Sequence, residues 1–195
     1  PPRSTLFPYT TLFRSVRGGR ADLEQATVRE AGEALHHTRL FLAGLAQPPA
    51  TDSERERLTG VLHALDHTTR LTDNIESLVS QTGADALWID PDLNRAVDLT
   101  KRSLEVASAV AWPAADLVGP PVDPESRLAE LAQSAAELAE LRRTHRRGTF
   151  GAAAELKPSA GVDDAITRID RMRLLDRLSY HAWRAATHAA GAAAR

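Results

Sequence analysis

Two stretches of this chain carry side chains that could do chemistry, and they are built alike. Along Ile166–Ala190, Arg173, Asp176, Arg177, Tyr180, Arg184 and His188 recur at steps of three, four and seven, so a helix sets them on one side. The other side of that helix is Leu174, Leu175, Leu178, Ala182, Ala185 and Ala189, a stripe made for a core. Earlier, His63, Asp66, His67, Arg70, Asp73 and Asn74 form a second polar face at the same spacing. Both faces are more specific than simple solvation of a helix requires.

Three chemistries fit such faces. His63 and His67 lie one helical turn apart and could share a cation, with Asp73 and Asp176 as further candidate metal ligands. Zinc takes three or four such ligands, and hard cations want several carboxylates. The alternative is a solvated or interhelical hydrogen-bonding face. Arg173, Arg177 and Arg184 present guanidinium forks suited to phosphate oxygens; the alternative is pairing with Asp170, Asp176 and neighbouring helices. Nucleophilic catalysis has little to stand on. Ser179 is near His181, but side chains two apart on a helix diverge. Tyr180 and Trp183 could stack on a base or pack between helices. The basic run of Arg142, Arg143, His145, Arg146 and Arg147 could touch anionic lipid or simply end a helix in solvent. No enzyme is expected.

The elements that position these residues are helices throughout. The vocabulary is Ala, Leu, Arg and Glu, with 5% aromatics, and strictly alternating β-branched runs are missing. Five long helices are expected, over about 21–46, 54–81, 91–111, 125–147 and 162–190. Leu35, Leu42 and Leu45 should form the buried face of the first, ended by Pro48 and Pro49. Thr51 to Glu54 reads as a capping box opening the second. Asp90-Pro91 and Asp123-Pro124 each read as an aspartate cap followed by proline at the first helical position. A short piece, Thr149–Leu156, could extend the fourth helix; Ser159 or Gly161 should precede the last. The Gly119-Pro120-Pro121 linker suggests a first bundle over 16–118 and a second over 119–195, both all-α and antiparallel.

Composition narrows the partners. Twenty-four Lys and Arg against 26 Asp and Glu give a formal net charge of −2, without the basic excess of a general nucleic-acid binder. There is no cysteine, hence no disulfide framework and no thiolate chemistry. The most apolar run, 106–118, is broken by Pro113 and Asp116 and is too short to span a bilayer, so this part reads as soluble. Pro1–Ser15 stand apart. They hold three of the six Phe and Tyr residues, have no helical face, and match the conceptual translation of a short-read sequencing adapter. The native chain is therefore expected to continue upstream of Val16.

The two polar faces overlay with Arg70 on Arg177 and Asn74 on His181, an offset of 107 residues that suggests an internal repeat. Asp176-Arg177-Leu178-Ser179-Tyr180-His181 and Thr69-Arg70-Leu71-Thr72-Asp73-Asn74 resemble the Glu/Asp-Arg-x-x-Asp motifs of PhoU-type proteins, one per three-helix bundle. The run Ala139–Ala190, with its Leu-Arg-Arg-x-His-Arg step and Leu-Asp-Arg-x-x-Tyr-His-x-Trp-Arg, is closer still to the PhoU-like tail of bacterial sodium/phosphate cotransporters. Thr69 and Tyr180 stand where that family has acids, leaving Asp73 and Asp176 of its metal-ligand pattern. The resemblance implies a regulatory domain at the cytoplasmic face of the inner membrane. Its partner would be its own upstream transmembrane transport domain or a separate phosphate transporter, with homodimerisation possible and no nucleic acid. No cofactor is implied beyond a candidate metal ion. A free-standing regulator of phosphate uptake and an unrelated helical scaffold are the alternatives. The candidate regulatory or anion-contact face is Arg70, Asp73, Arg173, Asp176, Arg177, Tyr180, His181 and Arg184.

Overall fold

The helix starts follow from local hydrogen bonding. A computed structural model of the chain describes residues 21–45, 47–81, 90–111, 123–155 and 158–193. Its helices are α1 (Ala21–Ala43), α2 (Asp52–Gln81), α3 (Pro91–Ala111), α4 (Pro124–Glu155) and α5 (Pro158–Ala193). None of the described residues lies in a strand. At the head of α2 the Glu54 amide donates to Thr51 Oγ1 at 3.2 Å, and Glu54 Oε2 accepts from the Thr51 and Ala50 amides at 3.1 and 2.8 Å. That is the expected capping box. Asp90 Oδ1 accepts from the Asp92 and Leu93 amides at 3.0 and 3.2 Å, and Asp123 does the same for Glu125 and Ser126 at 3.2 Å each.

The expected boundaries hold for α2 and α3 and shift elsewhere. The α1 helix stops at Ala43, where the Gly44 amide closes onto Leu40 and Phe41 carbonyls, short of the expected end at 46. The α4 helix does not end at Arg147; it continues as one rod through Gly148 to Glu155. A glycine costs a helix about 1 kcal/mol relative to alanine and does not by itself stop it. The last helix opens at Pro158, before Ser159 and Gly161, because a proline's fixed φ and missing N–H suit the first turn.

The α5 helix is the hub, packing against α2, α3 and α4, while α3 also packs on α4 and α1 lies only on α2. Directions follow from named contacts. Gly60 meets Ala192 and His67 meets His181, so α2 runs antiparallel to α5. Thr100 Oγ1 donates to the Leu175 carbonyl and receives the Ser179 hydroxyl, while Asp90 lies beside Arg168, so α3 runs parallel to α5. Arg142 pairs with Asp176 and Arg102 with Glu130, which sets α4 antiparallel to both α5 and α3.

One apolar cluster joins Val28, Leu71, Ile75, Leu93, Leu104, Leu138, Leu141, Met172, Leu175 and Leu178, drawn from all five helices. It crosses the 118/119 position at which the sequence suggests a division, so α3 shares its core with α4 and α5. Leu174, Leu175, Leu178 and Ala182 are buried as the stripe predicts. The expected α1 face is covered only in part: Leu35 and Leu42 are half-buried and Leu45 is 48% exposed, with Val28 as the buried anchor. A helix touching one neighbour can bury only a narrow stripe. No helix among the described residues is long and apolar enough to cross a membrane.

Candidate functional site

Small residues let α2 and α5 approach closely. A Cβ at Gly60 would sit 3.2 Å from that of Ala192, and Ala64, Ala182, Ala185 and Ala189 line the same side. Along this seam the histidines converge. His63 and His67 come from successive turns of α2; His181 and His188 lie two turns apart on α5. The His63 and His188 rings stack with centroids 4.9 Å apart, and His67 and His188 lie nearly parallel at 5.6 Å. His67 Nδ1 is 3.0 Å from His181 Nδ1, so one nitrogen carries the hydrogen and the other accepts it. Tyr180 packs edge-on against His67, and Trp183 lies beside Tyr180 with the Arg184 guanidinium 5.5 Å over its ring.

Burial and nearby cations disfavour the charged form of three of these imidazoles. Burial, reinforced by His67 and Arg70, pushes the His181 imidazole down to about 4, with Arg177 adding to it and Asp66 opposing. Burial also lowers His67, against Asp66 and with Arg184, Arg70 and His63 assisting. His188 is lowered by burial, then by Arg184, His63 and His67. Asp66 is held below the usual carboxylate range by its 2.9 Å hydrogen bond from Arg70. Arg184 Nε and His188 Nε2 are buried without a partner among the described residues. Each such group costs about 1–3 kcal/mol, so the seam is polar and incompletely satisfied.

The predicted site residues do not form one face. Arg70, Tyr180, His181 and Arg184 gather at the seam with His63 and His67. Arg177 and Tyr180 edge a cavity of about 410 Å³ against the alanines of α4. Asp176 turns to α4, where Arg142 meets it at 3.0 Å; burial raises its carboxyl while Arg142, Arg143 and Arg177 hold it back. Asp73 lines a groove beside α1 with His36 and His37. Arg173 bonds Asp170 at 3.2 Å and lies next to the basic run of α4. The metal candidates His63, His67, Asp73 and Asp176 therefore point to three places. No group of three or more histidines and carboxylates among the described residues is arranged to hold a metal ion.

Two residues of the polar interior escape a reading of faces alone. His145 is 5% exposed and Asp90 8%. His145 Nε2–H donates to Asp90 Oδ2 at 2.9 Å, with Arg168 at 3.8 Å from the same oxygen. Burial would raise Asp90, but the His145 hydrogen bond and the Leu93 and Asp92 amides outweigh it, and the carboxyl stays below its usual range. A signal for His145 existed: it continues the Leu131, Leu138, Leu141 stripe at helical spacing and so faces inward. The chain matches no known family, no curated protein and no solved structure.

Proposed function

We propose that this chain is a PhoU-like helical regulatory domain of a sodium-dependent inorganic phosphate transporter, acting through helix-face contacts at the cytoplasmic face of the inner membrane and not through bond-making. The support is the meeting of the α2 and α5 polar faces along one seam. Contacts in the antiparallel α2–α5 seam run from Gly60 with Ala192 through His63 with His188 to His67 with His181. Carried one turn further, that register sets Arg70 across from the turn that holds Arg177. Both arginines act on the same imidazole, His181. Two similar arginine-centred segments on facing helices offer a partner both at once. Arg70 and Arg177 are exposed, so they remain open to that partner.

The test is made in cells carrying the full-length gene. Arg70→Glu with Arg177→Glu is expected to abolish the difference in sodium-dependent phosphate uptake between phosphate-rich and phosphate-starved cells. Arg95→Glu, on α3, should leave it intact. Unchanged regulation in the double variant, with the protein present at normal level, overturns the reading.

A further inference from the structure

The basic run at 142–147 takes no part in the seam, and its surroundings show what it could hold. The helical stripe turns Leu138, Leu141 and His145 into the core. That leaves Arg142, Arg143 and Arg146 on the flanking surface of α4, and the antiparallel α5 brings Arg173 alongside. These four arginines and His145 line one cavity of about 130 Å³ together with Ile169 and the fully buried Met172. No carboxylate is among its described lining residues. Arginine offers donors and no acceptor, so these side chains bring positive charge and N–H groups to the cavity.

Three of the four arginines have carboxylate partners, and two of those pairs are weak. Arg143 pairs with Glu140, and Arg173 with Asp170, each three residues away on an exposed helix surface. Such pairs contribute about 0–1 kcal/mol and yield readily to a better acceptor. Arg146 leans on Phe150 at 5.6 Å. Arg142 alone is committed, to Asp176. His145 gives its Nε2 hydrogen to Asp90, which leaves the arginines as the donors of the cavity. Like charges gathered around a void repel one another unless an anion enters between them.

We infer that this cavity binds a phosphate-class oxyanion, with Arg143, Arg146 and Arg173 as its main donors. Its volume suits one tetrahedral anion and falls below the roughly 300–1,000 Å³ of pockets that enclose larger organic ligands. Arginine forks match the oxygens of such a group two at a time. The anion is either free inorganic phosphate or the headgroup phosphate of an anionic lipid presented at the surface. As the ligand of a phosphate regulator this site rests on the function proposed above; as a binding site it stands on the cavity alone.

Calorimetric titration of the full chain with inorganic phosphate, and with sulfate, tests it directly. A parallel arm measures co-sedimentation with phosphatidylcholine vesicles with and without phosphatidylglycerol. Saturable 1:1 phosphate binding, weakened about tenfold or more in Arg143→Ala/Arg146→Ala and in Arg173→Ala, is expected. Arg102→Ala, which removes one charge on α3, should bind as the parent does. Binding only to phosphatidylglycerol vesicles, lost in the same variants, supports the site with lipid as the source. All three altered positions are exposed, and thermal melts monitored by circular dichroism check that the variants fold. Binding in neither arm, equal binding by all variants, or equal loss in Arg102→Ala overturns the inference. Failure of the uptake experiment leaves this outcome untouched, so the two readings fail separately.

Discussion

Acidification should loosen the α2–α5 seam, and the size of the effect follows from its histidines. His181 titrates near 6.5 when the chain is unfolded and at about 4 in the fold. Between those values the unfolded chain binds more protons, so stability falls as pH falls; above about 6.5 the contribution is fully present. A full shift of that size, at about 1.36 kcal/mol per pH unit, sets a ceiling of about 3 kcal/mol. Solvent still reaches part of the ring and screens it, so about half of that is expected from His181. His67 and His188 are displaced in the same direction and add to the slope. Asp176, raised by burial, works the other way over the acid end of the window. Asp66 and Asp90, both lowered, lose their contributions only below the ordinary carboxylate range, under about pH 4. Urea unfolding of the parent chain and of His181→Gln at pH 7.5, 6.0, 5.0 and 4.5 reads the effect. The parent should lose about 1.5 kcal/mol more than the variant across this range. Equal slopes for the two proteins, or a parent that grows more stable in acid, would refute the account of imidazoles whose charged form burial disfavours.

Four further outcomes follow from single side chains. Asp90→Ala removes the α3 cap and strands the buried His145 Nε2–H, so it should cost about 2–4 kcal/mol in urea unfolding at pH 7. Leu178→Ala empties a fully buried position of α5 and should cost about 2–5 kcal/mol, lowering the midpoint without changing the denaturant slope. Arg142→Ala leaves the Asp176 carboxylate, only 15% exposed, without its partner. The expected loss is about 1–2 kcal/mol at pH 7, shrinking in acid because burial raises the Asp176 carboxyl. Arg95→Ala, which breaks a surface pair with Glu137, should stay within about 0.5 kcal/mol of the parent at both pH values.

Local rules made most of the helix map readable. Aspartate-proline and threonine-glutamate caps act over a few residues, so Asp90, Asp123 and Thr51 announce α3, α4 and α2 without any tertiary information. Boundaries failed where glycine alone suggested a stop. Gly148 has open space around it and the α4 hydrogen-bond ladder continues through it to Glu155. Burial was legible for α5, where small and large apolar residues recur on one side. It was overstated for α1, whose leucines imply a buried face that a single neighbour, α2, covers only in part.

The candidate site divides in the same way. Helical periodicity by itself determined which side chains share a face of one helix: His63 with His67, Arg173 with Arg177, Leu138 with Leu141 and His145. Periodicity says nothing about what lies opposite. Only the packing of α5 between α2 and α4 brought His181 against His67 and turned Asp176 to Arg142. It also set Arg173 among the arginines of α4. The physical reason is that α5 is covered on several sides, so neighbouring residues on one polar stripe meet different partners. Which imidazole is neutral and which carboxylate is raised depends on those partners and on burial, and both come into being when the helices pack.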